Sequence, residues 1–143
     1  MRKYRLIIAG GRKYARRWQP DLKRWTYDDA ELQTAFRKLN RLAGKIALGR
    51  PLKDAIIVVE GGAEGADRVG RMWAESHGIE VETFEADWEG LGKRAGYVRN
   101  ADMAEVGDYL VAFWNGSSKG TKMMIELSRK KGIKTAVIRY TGE

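Results

Sequence analysis

The stretch Ala55-Ile56-Ile57-Val58-Val59-Glu60-Gly61-Gly62-Ala63-Glu64-Gly65-Ala66-Asp67 decides the fold. Ala55–Val59 is a continuous apolar run, β-branched at four positions, and it ends at Glu60-Gly61-Gly62. A strand covered on both faces needs continuous rather than alternating apolarity. The glycines close the run, and a helical pattern starts at about Gly65 and continues to Ser76, so the segment reads as strand, turn and helix in succession.

The same unit recurs in both directions. Upstream, Tyr4 to Ala9 is a short apolar run closed by Gly10-Gly11. From Asp28 to about Leu48, Leu32, Ala35, Phe36, Leu39, Leu42, Ala43 and Ile46 recur at helical spacing behind an acidic first turn, and Gly49-Arg50-Pro51 stops them. Downstream, Gly78 is the expected C′ residue, and Ile79–Phe84, Tyr109–Trp114 and Thr135–Ile138 are three more strands. Helical patterns cover Tyr97–Glu105 and Thr121–Lys131, with a Gly-rich connection over Asp87–Gly96. Strands alternating with helices throughout predict one doubly wound α/β domain over residues 1–143, built on a mainly parallel five-stranded sheet. A basic aromatic loop is expected at about 12–27.

Composition narrows the class. The chain has 143 residues, 43% of them hydrophobic and 10% aromatic, which argues against disorder despite a charged fraction of 32%. No Cys and one His exclude a disulfide framework, thiol catalysis and a zinc–thiolate site. No metal site is expected from the sequence; carboxylates leave Mg²⁺ as the cation still open. No apolar run approaches the roughly 18 residues of a membrane span, and the basic start leads into only Leu6 to Ala9, short of a signal-peptide core. The expectation is a cytoplasmic protein with no membrane partner.

The net charge is +8, from 27 Lys and Arg against 19 Asp and Glu. It is localised: residues 1–25 hold nine basic residues against Asp21 alone, and residues 26–143 are balanced. A local block points to an anionic partner more strongly than an evenly basic surface.

In open α/β sheets ligands bind beyond the carboxyl ends of the strands. Gly10-Gly11-Arg12, then Gly61 to Asp67, then Asp87-Trp88, then Asn115-Gly116-Ser117-Ser118-Lys119-Gly120-Thr121 all follow strand ends, so the four clusters should share one rim. Two of these loops open into helices, whose first-turn amides attract anions. Ser117, Ser118 and Thr121 add hydroxyls and Lys119 adds charge. Glycines are also ordinary turn punctuation, but two such loops on one rim favour a phosphate. Neither loop is GxGxxG after the first strand or GxxxxGK[ST], which argues against a dinucleotide dehydrogenase and a P-loop ATPase.

Gly10-Gly11-Arg12, Gly61-Gly62-Ala63-x-Gly65-Ala66-Asp67, Ala86-Asp87-Trp88, Ala95-Gly96-x-x-Arg99-Asn100-x-x-Met103 and Phe113-Trp114-x-Gly116-Ser117-x-x-Gly120-Thr121 together resemble the YspA-type branch of the SLOG superfamily. The resemblance runs from about residue 5 to 138 and implies a Rossmann-like domain with a nucleotide-related ligand. The superfamily includes the Lonely-guy phosphoribohydrolases, the DNA-processing protein A family and sensors of NAD-derived signals. Arg99-Asn100-Ala101-Asp102-Met103 resembles the Arg-Lys-x-x-Met stretch that carries the hydrolases' catalytic Arg, and Gly116–Thr121 resembles their phosphate loop. Their catalytic Glu corresponds to Met124, a departure from the pattern; Glu126 lies two positions further on. Glu64 stands where the family often has a basic residue, and the 12–25 segment is longer than the family loop. Hydrolases of this kind form dimers, so the resemblance extends to a homodimer.

The residues then divide into roles. Arg12 and Arg99 suit bidentate phosphate contacts. Asp67 and Asp87 could accept from ribose hydroxyls or act as acid and base, although Asp67 equally suits a helix first-turn acid. Asn100 belongs to the ligand set. Trp88 and Trp114 could stack on a base or join the core. If the chain is catalytic, N-glycosidic cleavage is the reaction implied, with Arg99 fixing phosphate and Asp87 or Glu126 stabilising a ribosyl cation-like state. The segment Arg12–Trp25 interleaves cations with Tyr14, Trp18 and Trp25 and reads as a flap over a nucleotide. The alternative is a non-enzymatic module that binds single-stranded nucleic acid through this segment.

Overall fold

The computed structural model describes residues 1–142 and turns the apolar runs into β1 (Tyr4–Gly10), β4 (Ile56–Glu60), β5 (Glu80–Thr83), β6 (Tyr109–Trp114) and β7 (Lys134–Arg139). Between β1 and β4 lie β2 (Arg16–Gln19), β3 (Arg24–Tyr27), α1 (Asp29–Ala47) and the single turn α2 (Leu52–Ala55). The remaining helices are α3 (Ala66–Ser76), α4 (Trp88–Leu91), α5 (Ala95–Val106) and α6 (Lys119–Lys130).

The five strands pair in the order β5-β4-β1-β6-β7, every pair parallel. This is the Rossmann-like arrangement, and alternation along β1 explains how it is covered. Leu6 and Ile8 face a core with Leu39 and Ala43 of α1 and Val69 and Trp73 of α3. Ile7 and Ala9 face the opposite core with Met103 of α5 and Met124 and Ile125 of α6. Both faces of a central strand are buried, which is why β1 is apolar at every position from Leu6 to Ala9.

Helix ends follow local chemistry. Asp28 caps α1 by accepting from the Glu31 amide at 3.0 Å. Ser118 caps α6, accepting from the Thr121 amide at 3.4 Å. Trp73, fully buried, donates its indole N–H to Asn40 Oδ1 at 2.8 Å, so its polar edge is satisfied.

Two segments differ from the sequence expectation. Residues 12–27 are not a loop: they carry an antiparallel hairpin, β2 against β3. Its turns place Ala15 (φ 61°) and Lys23 (φ 50°) in the left-handed region without a glycine to announce it. The Asp87–Gly96 connection contains α4, capped by Asp87 Oδ1 accepting from the Gly90 amide at 2.9 Å, followed by a 3-10 turn over Gly92–Arg94. Among the described residues no helix is long and apolar enough to cross a membrane.

Candidate functional site

The strand order reverses between β4 and β6, the two neighbours of β1, so the chain leaves the sheet in opposite directions on either side of β1. A cleft opens there, as expected for an open α/β sheet. It has a volume of about 430 Å³. Gly10, Gly11, Arg12 and Lys13 form one wall, Asn115, Ser118, Gly120 and Thr121 another, and Asp67, Arg99 and Asn100 close the third side. Met103 and Met124 line it as well, both buried.

The first wall is held by the backbone. The Gly11 amide donates to the Phe113 carbonyl at 3.2 Å, and the Gly11 carbonyl accepts from Ala66 (3.1 Å) and Tyr14 (3.2 Å). One glycine thus ties β1 to the end of β6 and to the start of α3. Gly65 makes this contact possible: at φ 80° it lies against the Gly11 carbonyl and the Arg12 backbone, where a Cβ has no room.

The second wall is the N-terminus of α6. Asn115 Oδ1 accepts from the amides of Ser117 (2.8 Å) and Ser118 (2.9 Å), folding the loop back on itself. The first-turn amides of Lys119 and Gly120 have no intrahelical acceptor by their position. An anion held here meets both those amides and the positive end of the helix dipole.

The third side is charged and polar. Arg99 Nη1 donates to the Gly61 carbonyl at 2.7 Å and Nε to Asn100 Oδ1 at 2.9 Å, while Asn100 Nδ2 reaches the Gly120 carbonyl at 3.4 Å. Asp67 is 7% exposed and accepts from the Ala63 amide at 3.2 Å. Burial pushes its carboxyl up to about 6; the Ala63 amide and the Arg99 guanidinium pull the other way, and Glu60 adds to the rise.

Glu60 was not singled out by sequence reasoning. It is 1% exposed, accepts from the Gly62 amide at 2.6 Å and from the Thr83 hydroxyl, and so fixes the Gly61-Gly62 turn that holds Arg99. Its signal in the sequence is an acid that closes an apolar strand immediately before two glycines. Lys13, Asn115, Met103 and Met124 also line the cleft without having been assigned to the ligand set.

Other expected residues lie off the cleft. Asp87 is exposed and spends its carboxylate capping α4. Glu126 is on the outer face of α6, 3.9 Å from Lys122 one turn before it, and two residues past the lining Met124 on the opposite side of the helix. Trp88 is 50% exposed on the rim, with the Arg12 guanidinium carbon 5.8 Å from its ring centroid. Trp114 donates its indole N–H to the Ser118 carbonyl at 3.1 Å and lies under Arg139, bracing the loop. Gly61, Gly62, Gly65, Gly116, Ser117 and Lys119 shape or flank the loops without lining the cleft. Among the described residues no group of three or more His, Cys, Asp and Glu side chains converges on a metal position.

The family model described as YspA, cpYpsA-related SLOG family matches residues 4–90, which span β1 through α4. The chain belongs to this SLOG family. The match covers Gly10–Arg12, the Gly61–Asp67 turn and Asp87-Trp88; the α5 and α6 sides of the cleft lie beyond it and stand on geometry. Gene 61 protein of Mycobacterium phage D29 is 40% identical over 84 residues, covering 54% of this chain and 67% of the phage protein. No solved structure matches the chain. SLOG membership is compatible with binding of a nucleotide-related ligand.

Proposed function

We propose that the chain binds a small nucleotide-derived ligand, a nucleoside phosphate or an NAD-derived molecule, with its phosphate at the mouth of the cleft. The observation that carries this reading is the convergence of the Gly10–Arg12 backbone, the first turn of α6 and Arg99 on one cleft of about 430 Å³ at the reversal of strand order. Backbone amides and a helix dipole favour a negative charge without side-chain rearrangement. Arg12 and Arg99 supply the counter-charge, and Asn100 a polar contact for the ribose or base. The apolar lining of Met103 and Met124 suits an uncharged ring. Binding is favoured over N-glycosidic cleavage, because Asp87 and Glu126 are engaged elsewhere and Met124 occupies the position of the hydrolases' Glu.

Thermal unfolding against a panel of nucleoside mono- and diphosphates, ADP-ribose and NAD tests this. A ligand at about 100 times its Kd stabilises the folded chain by about 2.7 kcal/mol, a rise of several degrees in Tm for a chain of this size. Arg99→Ala should abolish the rise; the variant also loses the bond to the Gly61 carbonyl, so the rise is read against the variant's own, lower ligand-free Tm. A rise that survives Arg99→Ala places the ligand elsewhere. Nucleoside monophosphates incubated with the protein should release no free base; release of base would restore the hydrolase reading.

A further inference from the structure

The β2–β3 hairpin pairs with no strand of the five-stranded sheet, and Arg16, Arg17, Lys23 and Arg24 against Asp21 give it a net +3 of the chain's +8. Its register sets Arg16 opposite Tyr27, Arg17 opposite Thr26, Trp18 opposite Trp25 and Gln19 opposite Arg24. Side chains alternate along a strand and cross-strand partners share a face. Arg16, Trp18, Trp25 and Tyr27 therefore lie on one face, and Arg17, Gln19, Arg24 and Thr26 on the reverse. On the reverse face Arg17, 61% exposed, is 3.2 Å from Asp28 and 3.6 Å from Glu31, and Gln19 donates to Thr26 at 3.2 Å within the hairpin.

The tryptophan face runs from Tyr27, packed on the core, to an open end at Trp18. Trp18 and Trp25 meet edge to face at 6.1 Å, and Trp18 remains 49% exposed. Lys13 Nζ is 5.1 Å and the Arg16 guanidinium carbon 5.7 Å from the Trp25 ring centroid. The platform is anchored rather than loose. The Ala15 carbonyl accepts from the Asp28 amide at 2.8 Å, Tyr14 stacks on Phe113 at 4.3 Å, and the Tyr27 hydroxyl bonds both Glu64 (2.6 Å) and the Gly65 amide (2.9 Å).

We propose that the Trp18–Trp25 face of the β2–β3 hairpin binds single-stranded nucleic acid. The exposed Trp18 indole accepts an unpaired base of any sequence, with half-buried Trp25 against its edge, and adjacent cations neutralise the flanking phosphates. A duplex hides its base faces inside the stack and cannot use the indoles. A membrane interface is disfavoured by the tip, where Asp21 sits beside Leu22 and Lys23, and by cations packed on the ring faces rather than beyond them. The anchored ribbon keeps the ordering cost of binding low. This surface is separate from the nucleotide reading of the cleft; Lys13, which lines both the cleft and the cavity under the hairpin, marks where they meet.

Fluorescence anisotropy with labelled oligo(dT) and oligo(U) of about 20 nucleotides tests it, spanning more than one site of the usual size. Binding of either strand is expected, with a log–log salt slope of about −2 if Lys13, Arg16 and Lys23 each neutralise one phosphate at about 0.7 per contact. Trp18→Ala should weaken binding about tenfold, the scale of one lost base stack, and Trp18→Phe should retain most of it. Nucleotide-induced stabilisation should persist in Trp18→Ala, and strand binding should persist in Arg99→Ala, so that failure at the hairpin and failure at the cleft read out separately. The proposal is overturned by any of four results: no strand binding, binding indifferent to Trp18→Ala, equal binding of heparin or duplex, or Trp18-dependent binding of vesicles rich in anionic lipid.

Discussion

The loop from β4 to α3 and the loop from β6 to α6 share a plan: a strand end, glycines, a polar residue or two, then the first turn of a helix. Their uses diverge. In the first, the Gly61 carbonyl is taken by Arg99, the Gly62 amide by Glu60, the Ala63 amide by Asp67 and the Gly65 amide by Tyr27. The α3 N-terminus carries its own carboxylate, so an anionic ligand would compete with Asp67. In the second loop, Asn115 and Ser118 settle the turn while Gly120 and Thr121 stay on the cleft wall. One loop is a brace and the other a seat. Glycine-rich composition is common to both; the difference lies in whether a buried acid from the same loop has already claimed the amides.

The largest effect expected from this contrast is at Gly65. A side chain there takes φ 80° with ψ −127°, a conformation that costs a non-glycine residue about 1–3 kcal/mol, and meets the Gly11 carbonyl and the Arg12 backbone, which must shift. Gly65→Val should destabilise the fold by about 3 kcal/mol or more, read as a fall in the urea midpoint with an unchanged slope. A small effect would mean that the first loop is as loosely held as the second.

Asp67 gives the next effect. Its folded-state carboxyl titrates at about 6 against an ordinary 3.8, so the folded chain holds the proton more tightly than the unfolded chain. Stability contributed by the protonated form is present below about pH 4 and is lost as pH rises through 6. Asp67→Asn removes that dependence and keeps an oxygen for the Ala63 amide. It should raise stability at pH 7 by up to about 3 kcal/mol, since each tenfold change in proton affinity is worth about 1.4 kcal/mol, with no gain at pH 4. Urea midpoints at pH 4, 5, 6 and 7 decide it. A loss of stability in Asp67→Asn at pH 7 would instead make the ionised carboxylate an integral partner of Arg99.

Much of the sheet was legible because burial on both faces forces apolar continuity at Leu6–Ala9, Ile56–Val59 and Leu110–Phe113. The hairpin was not, because its two short strands alternate cations with aromatics and its turns use Ala15 and Lys23 where a glycine would have given the signal. The rim was legible from glycines at strand ends. The division of labour along it was not: whether Asp87 faces a ligand or caps α4 depends on a hydrogen bond to the Gly90 amide, and Glu126 reads as a cleft residue until the helix phase turns it toward Lys122. Glu60 escaped notice because a buried acid satisfied by a backbone amide and a threonine leaves no pattern in spacing.

Gly120 separates the seat from the brace with the smallest effect on stability. A Cβ at this position meets no atom within 4 Å, and its backbone is helical, so Gly120→Ala should be neutral to stabilising by up to about 1 kcal/mol. That is opposite in sign to Gly65→Val, although both glycines sit at the mouth of a helix. The open space beside Gly120 belongs to the cleft wall, so added bulk falls where the ligand's phosphate would approach the α6 amides. Gly120→Val should therefore keep a melting temperature close to that of the parent chain yet lose nucleotide-induced stabilisation. Unimpaired nucleotide binding in Gly120→Val would show that space at α6 is not used by the ligand, and the second loop would then be a brace like the first.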